Sequence, residues 1–169
     1  HHIMPIGLDW LEFESLPKTE ALYSHFTGVN RWDDLHSRAK APPYSVDAAA
    51  VHHVFDGGWI WVLRFNNGVT SAGVAARSDL ARELGFAHGG AAWNRLLDRL
   101  PSVQEQFADS KATLPFIHAP KLSFRSSRVA GDNWALLPSA AGFVDPLLST
   151  GFPLTLLGIT RLAAILERD

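Results

Sequence analysis

Two turn dipeptides constrain this chain more than any other feature. Asp56-Gly57 and Asn67-Gly68 separate three runs rich in β-branched and aromatic residues, Val46 to Phe55, Trp59 to Phe65 and Val69 to Ala75. Glycine accepts a positive φ at little steric cost, so each dipeptide closes an antiparallel hairpin whose turn matches the natural twist of its strands. An alternating stretch from Ala21 to Val29 reads as a further strand, and the four together predict a meander. In Trp59-Ile60-Trp61-Val62, period two puts both indoles on one face and the aliphatic side chains on the other. Neither face suits water, so the sheet is expected to be covered on both sides.

Three helical segments follow. Asp79 to Leu84 stops at Gly85, Ala91 to Leu100 lines up Trp93, Leu96, Leu97 and Leu100 on one stripe, and Pro101 opens a further turn. Lys121 to Val129 and Trp134 to Leu137 return to extended structure around Gly131-Asp132-Asn133. Phe152 to Glu167 ends the chain as a helix that is apolar almost all round and is therefore expected to be buried in the complete protein. Strands, helices, strands, helix is an α+β order: an antiparallel meander sheet packed with helices. No strand runs into a Gly-x-Gly-x-x-Gly turn, so a complete dinucleotide domain is not expected.

The length of 169 residues suits one core. His1-His2 ahead of the only methionine, Met4, reads as the end of a tag. The expected division is therefore 1–4 as tag-like residues, 5–137 as a sheet-and-helix domain and 138–169 as a terminal loop and helix. The apolar stretch Phe152 to Leu166 is interrupted by Pro153, Gly158 and Arg161 and is shorter than a bilayer span.

A formal charge of -2 with interleaved signs leaves no basic face for nucleic acid. Without cysteine there is neither a disulfide framework nor a thiolate metal site, which fits a reducing cytoplasm; redox chemistry would need a cofactor. His25, His52 and His53 could suggest a zinc site, but adjacent residues of a strand point to opposite faces, and no metal site is expected. Asp9, Glu12, Glu14 and Glu20 read as a solvated acidic edge. Lys121, Arg125 and Arg128 read as the charged edge of a strand, with a cofactor phosphate as the weaker alternative. Tyr23, Phe26, Phe55, Trp59 and Trp61 serve equally as core or as the wall of an aromatic substrate pocket.

The most informative stretch is Pro138-Ser-Ala-Ala-Gly-Phe-Val-Asp-Pro-Leu-Leu-Ser-Thr-Gly151, a run dominated by small residues leading directly into the last helix. Ser149 or Thr150 is placed to cap that helix, Gly151 withholds a Cβ, and Pro153 occupies the first turn, where a missing N–H is harmless. The unpaired amides of such a helix end suit an anion: a halide, a carboxylate, or the anionic ring of a reduced flavin. On physics alone an ordinary capped helix explains the stretch as well.

Ala140 to Asp145, with Pro146, Ser149 and Gly151, resembles the carboxy-terminal flavin motif of the flavin-dependent halogenases and related proteins of the aromatic-hydroxylase fold, Gly-Asp-Ala-Ala-Gly-Phe-x-Asp-Pro-x-x-Ser-x-Gly. Gly58-Trp59-Ile60-Trp61 and Thr70-Ser71-Ala72-Gly73-Val74 are similar to paired strands of that family's substrate domain. The resemblance implies an FAD-dependent oxidoreductase of halogenase or monooxygenase type, in which this chain is the carboxy-terminal part. It implies a cofactor-binding set of Ser139, Ala140, Gly142, Asp145, Pro146, Ser149, Thr150 and Gly151, with Trp59 and Trp61 in the substrate pocket. The implied partners are FAD, a small aromatic substrate and a halide, with self-association through the last helix. Pro138-Ser139 stands where the family has Gly-Asp, which weakens the expected hold on the flavin ribityl chain. The Gly-x-Gly-x-x-Gly segment and the halogenases' lysine belong to the family's amino-terminal part, so no catalytic residue is assigned and the chain alone is expected to be inactive. The alternative is a self-contained small-molecule-binding domain with an aromatic-lined sheet and no redox activity.

Overall fold

The computed structural model describes residues 10–11, 17–36 and 42–167; the tag-like residues 1–4 and Asp9, Glu12 and Glu14 lie outside them. The strands are β1 (Trp10–Leu11), β2 (Thr19–Thr27), β3 (Val51–Phe55), β4 (Gly58–Arg64), β5 (Thr70–Arg77), β6 (Lys111–Ala112), β7 (Ile117–Ala119), β8 (Phe124–Ser126), β9 (Ala130–Gly131), β10 (Trp134–Ala135) and β11 (Gly142–Phe143). The helices are α1 (Trp32–Leu35), α2 (Ser78–Leu84), α3 (Gly90–Leu97), α4 (Pro101–Phe107), α5 (Pro138–Ala141) and α6 (Gly151–Leu166). They fall into two compact units, Thr19–Pro120 and a second made of residues 121–167 with the described residues before Thr19. The class is α+β, as expected.

In the first unit the two hairpins form as the turn dipeptides require. Gly57 and Gly68 hold φ of 88° and 81°, β3 pairs with β4 and β4 with β5, all antiparallel. The full meander does not form, because β2 skips β3 and pairs along the far edge of β5, from Thr19 opposite Arg77 to Phe26 opposite Thr70. The sheet order is β3-β4-β5-β2-β6, with β7 also on β2. Strand β2 ends where Gly28 turns at φ 70°, with its backbone so close to Asp109 that a Cβ would stand 2.7 Å from that carbonyl oxygen.

Residues Val46–Ala48, expected as the start of β3, instead form one 3-10 turn. The reason is a reciprocal clasp of carboxylates. Asp47 accepts the amides of Trp32 and Asp33 at 3.0 Å each, capping α1, while Asp33 accepts the Val46 amide at 3.0 Å and the Ser45 hydroxyl at 2.6 Å. Arg64 closes the clasp: its Nε donates to Asp47 at 3.1 Å and its Nη2 to the carbonyls of Val29 and Asn30. The Asp47 side chain is 2% exposed.

Helices α2, α3 and α4 cover the face that carries Leu22, Ile60, Val62 and Val74. These side chains pack with Leu84, Phe86, Trp93, Leu96 and Phe107 in a single core. Each such burial contributes about 1.5–3 kcal/mol. Phe26 anchors the cluster, with Trp93 at 5.6 Å and Phe107 at 5.4 Å between ring centroids. At the margin of this core, His53 meets Gln106 at 2.9 Å and packs on Trp32 at 4.7 Å.

In the second unit, β8 pairs antiparallel with β1 on one side and β11 on the other, and β9 with β10 around the expected turn at Asp132-Asn133. Helix α6 packs on α5, yet none of its residues is buried: Phe152, Leu154, Leu156, Leu157, Ile159, Ile165 and Leu166 are all exposed. By length and composition Leu147–Leu166, with mean hydropathy 1.4, would suffice to cross a membrane. The regular helix is shorter, because Leu148 and Ser149 interrupt it. The 16 residues from Gly151 rise about 24 Å against a hydrocarbon core of about 30 Å.

Two predictions follow from the buried polar groups. Burial pushes the Asp47 carboxyl up, but the Asp33 and Trp32 amides and the Arg64 guanidinium outweigh it and leave it below its ordinary 3.8. Its stabilisation is therefore present above that value and lost as pH falls through the folded pKa. Asp47→Asn should destabilise the unit by about 3 kcal/mol in urea unfolding, because it leaves Arg64 without its counter-charge. Burial likewise lowers His53 from its ordinary 6.5, reinforced by His36 and His52 and opposed by the bond to Gln106. The unfolded chain then binds the extra proton, so wild-type stability should decline as pH drops below 6.5, more steeply than that of His53→Gln.

Candidate functional site

The small-residue stretch folds as a short helix, a strand and a strained turn. Leu137 is extended, Pro138 opens α5, and Gly142-Phe143 joins β8 as strand β11. Asp145 then accepts the Leu147 amide at 2.8 Å, which turns the chain sharply. Leu148 and Ser149 follow with φ of 65° and 53°, left-handed conformations that cost non-glycine residues about 1–2 kcal/mol each. The Ser149 amide is bound to the Pro146 carbonyl at 3.0 Å.

The expected cap is absent. Thr150 precedes α6 with helical backbone angles, φ −64° and ψ −19°, and neither it nor Ser149 makes a side-chain cap bond. A capping hydroxyl needs extended backbone and a free amide two or three residues on. Here Ser149 is left-handed, Thr150 is already helical, and the third helical residue is Pro153, which has no N–H. The Leu154 amide bonds back to Thr150 at 3.2 Å. Among the described residues, the amides of Gly151 and Phe152 are left without a carbonyl partner, as the first-turn geometry dictates.

Beside this turn lies a cleft of ≈ 350 Å³. Ser139, Gly142, Asp145, Thr150 and Gly151, all expected from the sequence, line it together with Phe124, Arg125, Pro138, Phe143, Val144 and Leu154. Ala140, Pro146 and Ser149 do not line it. The cleft therefore has aromatic and aliphatic walls, one guanidinium-bearing residue, the Asp145 carboxylate and two hydroxyl-bearing residues, Ser139 and Thr150. Of the lining residues the sequence reading did not assign to the site, Phe124 and Leu154 carried no motif signal. Arg125 reads from the sequence as a strand-edge charge, with a cofactor phosphate as the weaker alternative.

Trp59 and Trp61 belong to the other unit, on the sheet face opposite the helices. Their rings are 5.7 Å apart; Trp61 lies 6.0 Å from Tyr23 and Trp59 is 4.9 Å from His52. Trp61 and Tyr23 close over Gly73, where an added Cβ would stand 2.5 Å and 2.4 Å from them. Trp59 is 7% exposed and its buried indole N–H has no partner, whereas Trp61 is half-buried. Trp59 is thus part of the buried interior of this face, and Trp61 is the more open of the two indoles. Across β3, His52 is on this face and His53 on the other, and among the described residues no cluster has the makings of a metal site. Glu20 pairs with His118 at 2.7 Å and not with another carboxylate.

No protein-family model matches the chain. It is 34% identical over 88% of its length to tetracycline 7-halogenase of Kitasatospora aureofaciens, covering 29% of that protein. It is 32% identical over 86% of its length to monodechloroaminopyrrolnitrin halogenase PrnC of Pseudomonas fluorescens, covering 26%. In structure it matches halogenase PltM, solved in complex with phloroglucinol and FAD, with a TM-score of 0.74 and 32% identity over 90% of this chain and 32% of that one. The chain thus spans about a third or less of the length of the proteins it matches.

One test separates fold from ligand at this site. An added Cβ at Gly151 meets only the Ser139 hydroxyl oxygen, at an ordinary 3.5 Å. Gly151→Ala should therefore change thermal or urea stability by no more than about 0.5 kcal/mol.

Proposed function

The chain is a homologue of the flavin-dependent halogenases, and from that premise we propose that it supplies the substrate-side sheet and the carboxy-terminal wall of the flavin site in an FAD-dependent halogenase. The cofactor of the full-length protein is FAD. The observation that carries the reading is the cleft, where the motif residues Ser139, Gly142, Asp145, Thr150 and Gly151 come together beside two unpaired amides.

The residues present fit a flavin. Phe124, Phe143 and Leu154 offer apolar walls to a flat ring system, and Gly142, whose added Cβ would stand 3.1 Å from the Phe124 carbonyl oxygen, lets β11 lie close on β8. Asp145 shapes the turn by holding the Leu147 amide, and Ala140, Pro146 and Ser149 support the loop from behind. Ser139 offers a hydroxyl to a sugar hydroxyl, a neutral bond contributing about 0.5–1.5 kcal/mol. The Gly151 and Phe152 amides, at the positive end of α6, face the negative charge of a reduced flavin edge or of a halide beside it. Bound FAD would supply the oxidising power, through reaction of its reduced form with oxygen.

The unit Thr19–Pro120 is assigned to the substrate side; of the division expected at 137, the flavin side keeps 138–167 and takes in β8 as well, since Phe124 and Arg125 line the cleft. Trp61, half-exposed, lines the pocket and Trp59 backs it, for a small phenolic substrate of the kind PltM binds. The lysine that the halogenases use belongs to the family's amino-terminal part, so this chain alone is inactive; the location is cytoplasmic. A self-contained binding domain would cover its own last helix. The exposed apolar surface of α6 favours a part of a larger protein, and in isolation favours self-association.

The test is to give the full-length protein FAD, a flavin-reducing system, oxygen, phloroglucinol and either chloride or bromide. A halogenated product, seen by mass spectrometry and dependent on halide, is the expected result. A hydroxylated product indifferent to halide would replace the halogenase reading with a monooxygenase, and absence of FAD binding would end both. Gly151→Val should weaken FAD binding about tenfold, or 1.4 kcal/mol, without unfolding the protein.

A further inference from the structure

Besides the strands β8 and β11, the cleft is walled by α5 and α6, and a pair of alcohols joins these two helices. Ser139 shares a 2.8 Å hydrogen bond with Thr155, on the second turn of α6, and its Oγ stands 3.4 Å from the Gly151 carbonyl oxygen. With the Ser139 proton directed at that carbonyl, Thr155 is the donor. Thr155 is half-buried and does not line the cleft. Three residues further on, Gly158 leaves no space at all: an added Cβ would stand 2.6 Å from Cδ of Pro138, so the proline ring rests on the helix backbone. Pro138 and Ser139 therefore grip α6 at Gly158 and Thr155, positions that fall on one helix face.

We propose, resting on the flavin reading above, that Thr155 is a positioning residue for the flavin cleft. It touches no ligand. By holding Ser139 it sets the spacing between the Pro138-Ser139 wall and the wall made by Thr150, Gly151 and Leu154. The Pro138–Gly158 contact is the second point of the same grip, and two points fix the orientation of one element on another where one would leave a pivot. Both partners of the hydroxyl bond are neutral alcohols, so the grip does not change with pH.

The test uses the full-length protein stripped of flavin and retitrated with FAD, followed by flavin fluorescence and the visible absorption of the bound cofactor. Thr155→Val, nearly the same shape without the hydroxyl, should raise the Kd for FAD roughly fivefold and shift the visible band, with little change in Tm. Thr155→Ser should restore both. Gly158→Ala, which pushes on Pro138 from the other point of the grip, should also weaken FAD binding, and it decides the matter if Thr155→Val does not fold. Wild-type affinity and an unchanged spectrum in Thr155→Val, or in Gly158→Ala if that variant must stand in, overturn the positioning role alone. A wild-type protein that binds no FAD overturns the flavin reading along with it.

Discussion

The larger unit depends on one buried carboxylate. Asp47 caps α1, is matched by Arg64 from the core face of β4, and through Arg64 reaches the carbonyls that follow β2. An unpaired buried charge is expensive, so the arrangement is close to all-or-none: either both side chains find each other or the loop between β2 and β3 cannot settle on the sheet. The loop so held spans the stretch between β2 and β3, which are not neighbours in the sheet: β2 pairs with β5. That alignment completes the sheet on which α2, α3 and α4 assemble their core.

The smaller unit solves a different problem, in that it builds a cleft from a chain with few charged groups. The materials are a carboxylate that bends the loop, two left-handed residues and a proline in the first turn of α6. The hydroxyl cap is missing for the same local reason: with Thr150 helical and Pro153 lacking an N–H, the first turn of α6 leaves the Gly151 and Phe152 amides without a carbonyl partner. Strain of this kind persists only where neighbouring contacts hold it, and here the grip between α5 and α6 lies directly beside it.

Legibility in the sequence followed the range of the interactions. The hairpins at Asp56-Gly57 and Asn67-Gly68, the stop of α2 at Gly85 and the division of β4 into indole and aliphatic faces were readable because each is decided within a few residues. The placement of β2 beside β5 was not, since nothing local says which edge a distant strand will choose. Val46–Ala48 reads as strand by composition and is turned by Asp33 and Asp47, which act through tertiary bonds. The loop from Ser139 to Gly151 was legible as a motif, but Phe124 and Arg125 reach the cleft from a strand that bears no part of it, and Leu154 from the helix beyond the motif's last residue. The cap at Ser149 or Thr150 was misread because residue type was legible and backbone conformation was not.

Helix α6 bears only Thr155, Thr160 and Arg161 as polar side chains among its 16 residues, and none of them defines a wet side. A flat neighbour shields about half the circumference of a cylinder, so no single planar surface can dry it. Only a trough with walls on more than one flank would do so. A surface that dried this helix would have to be concave, and a change that widened it would admit water along the whole length of the helix.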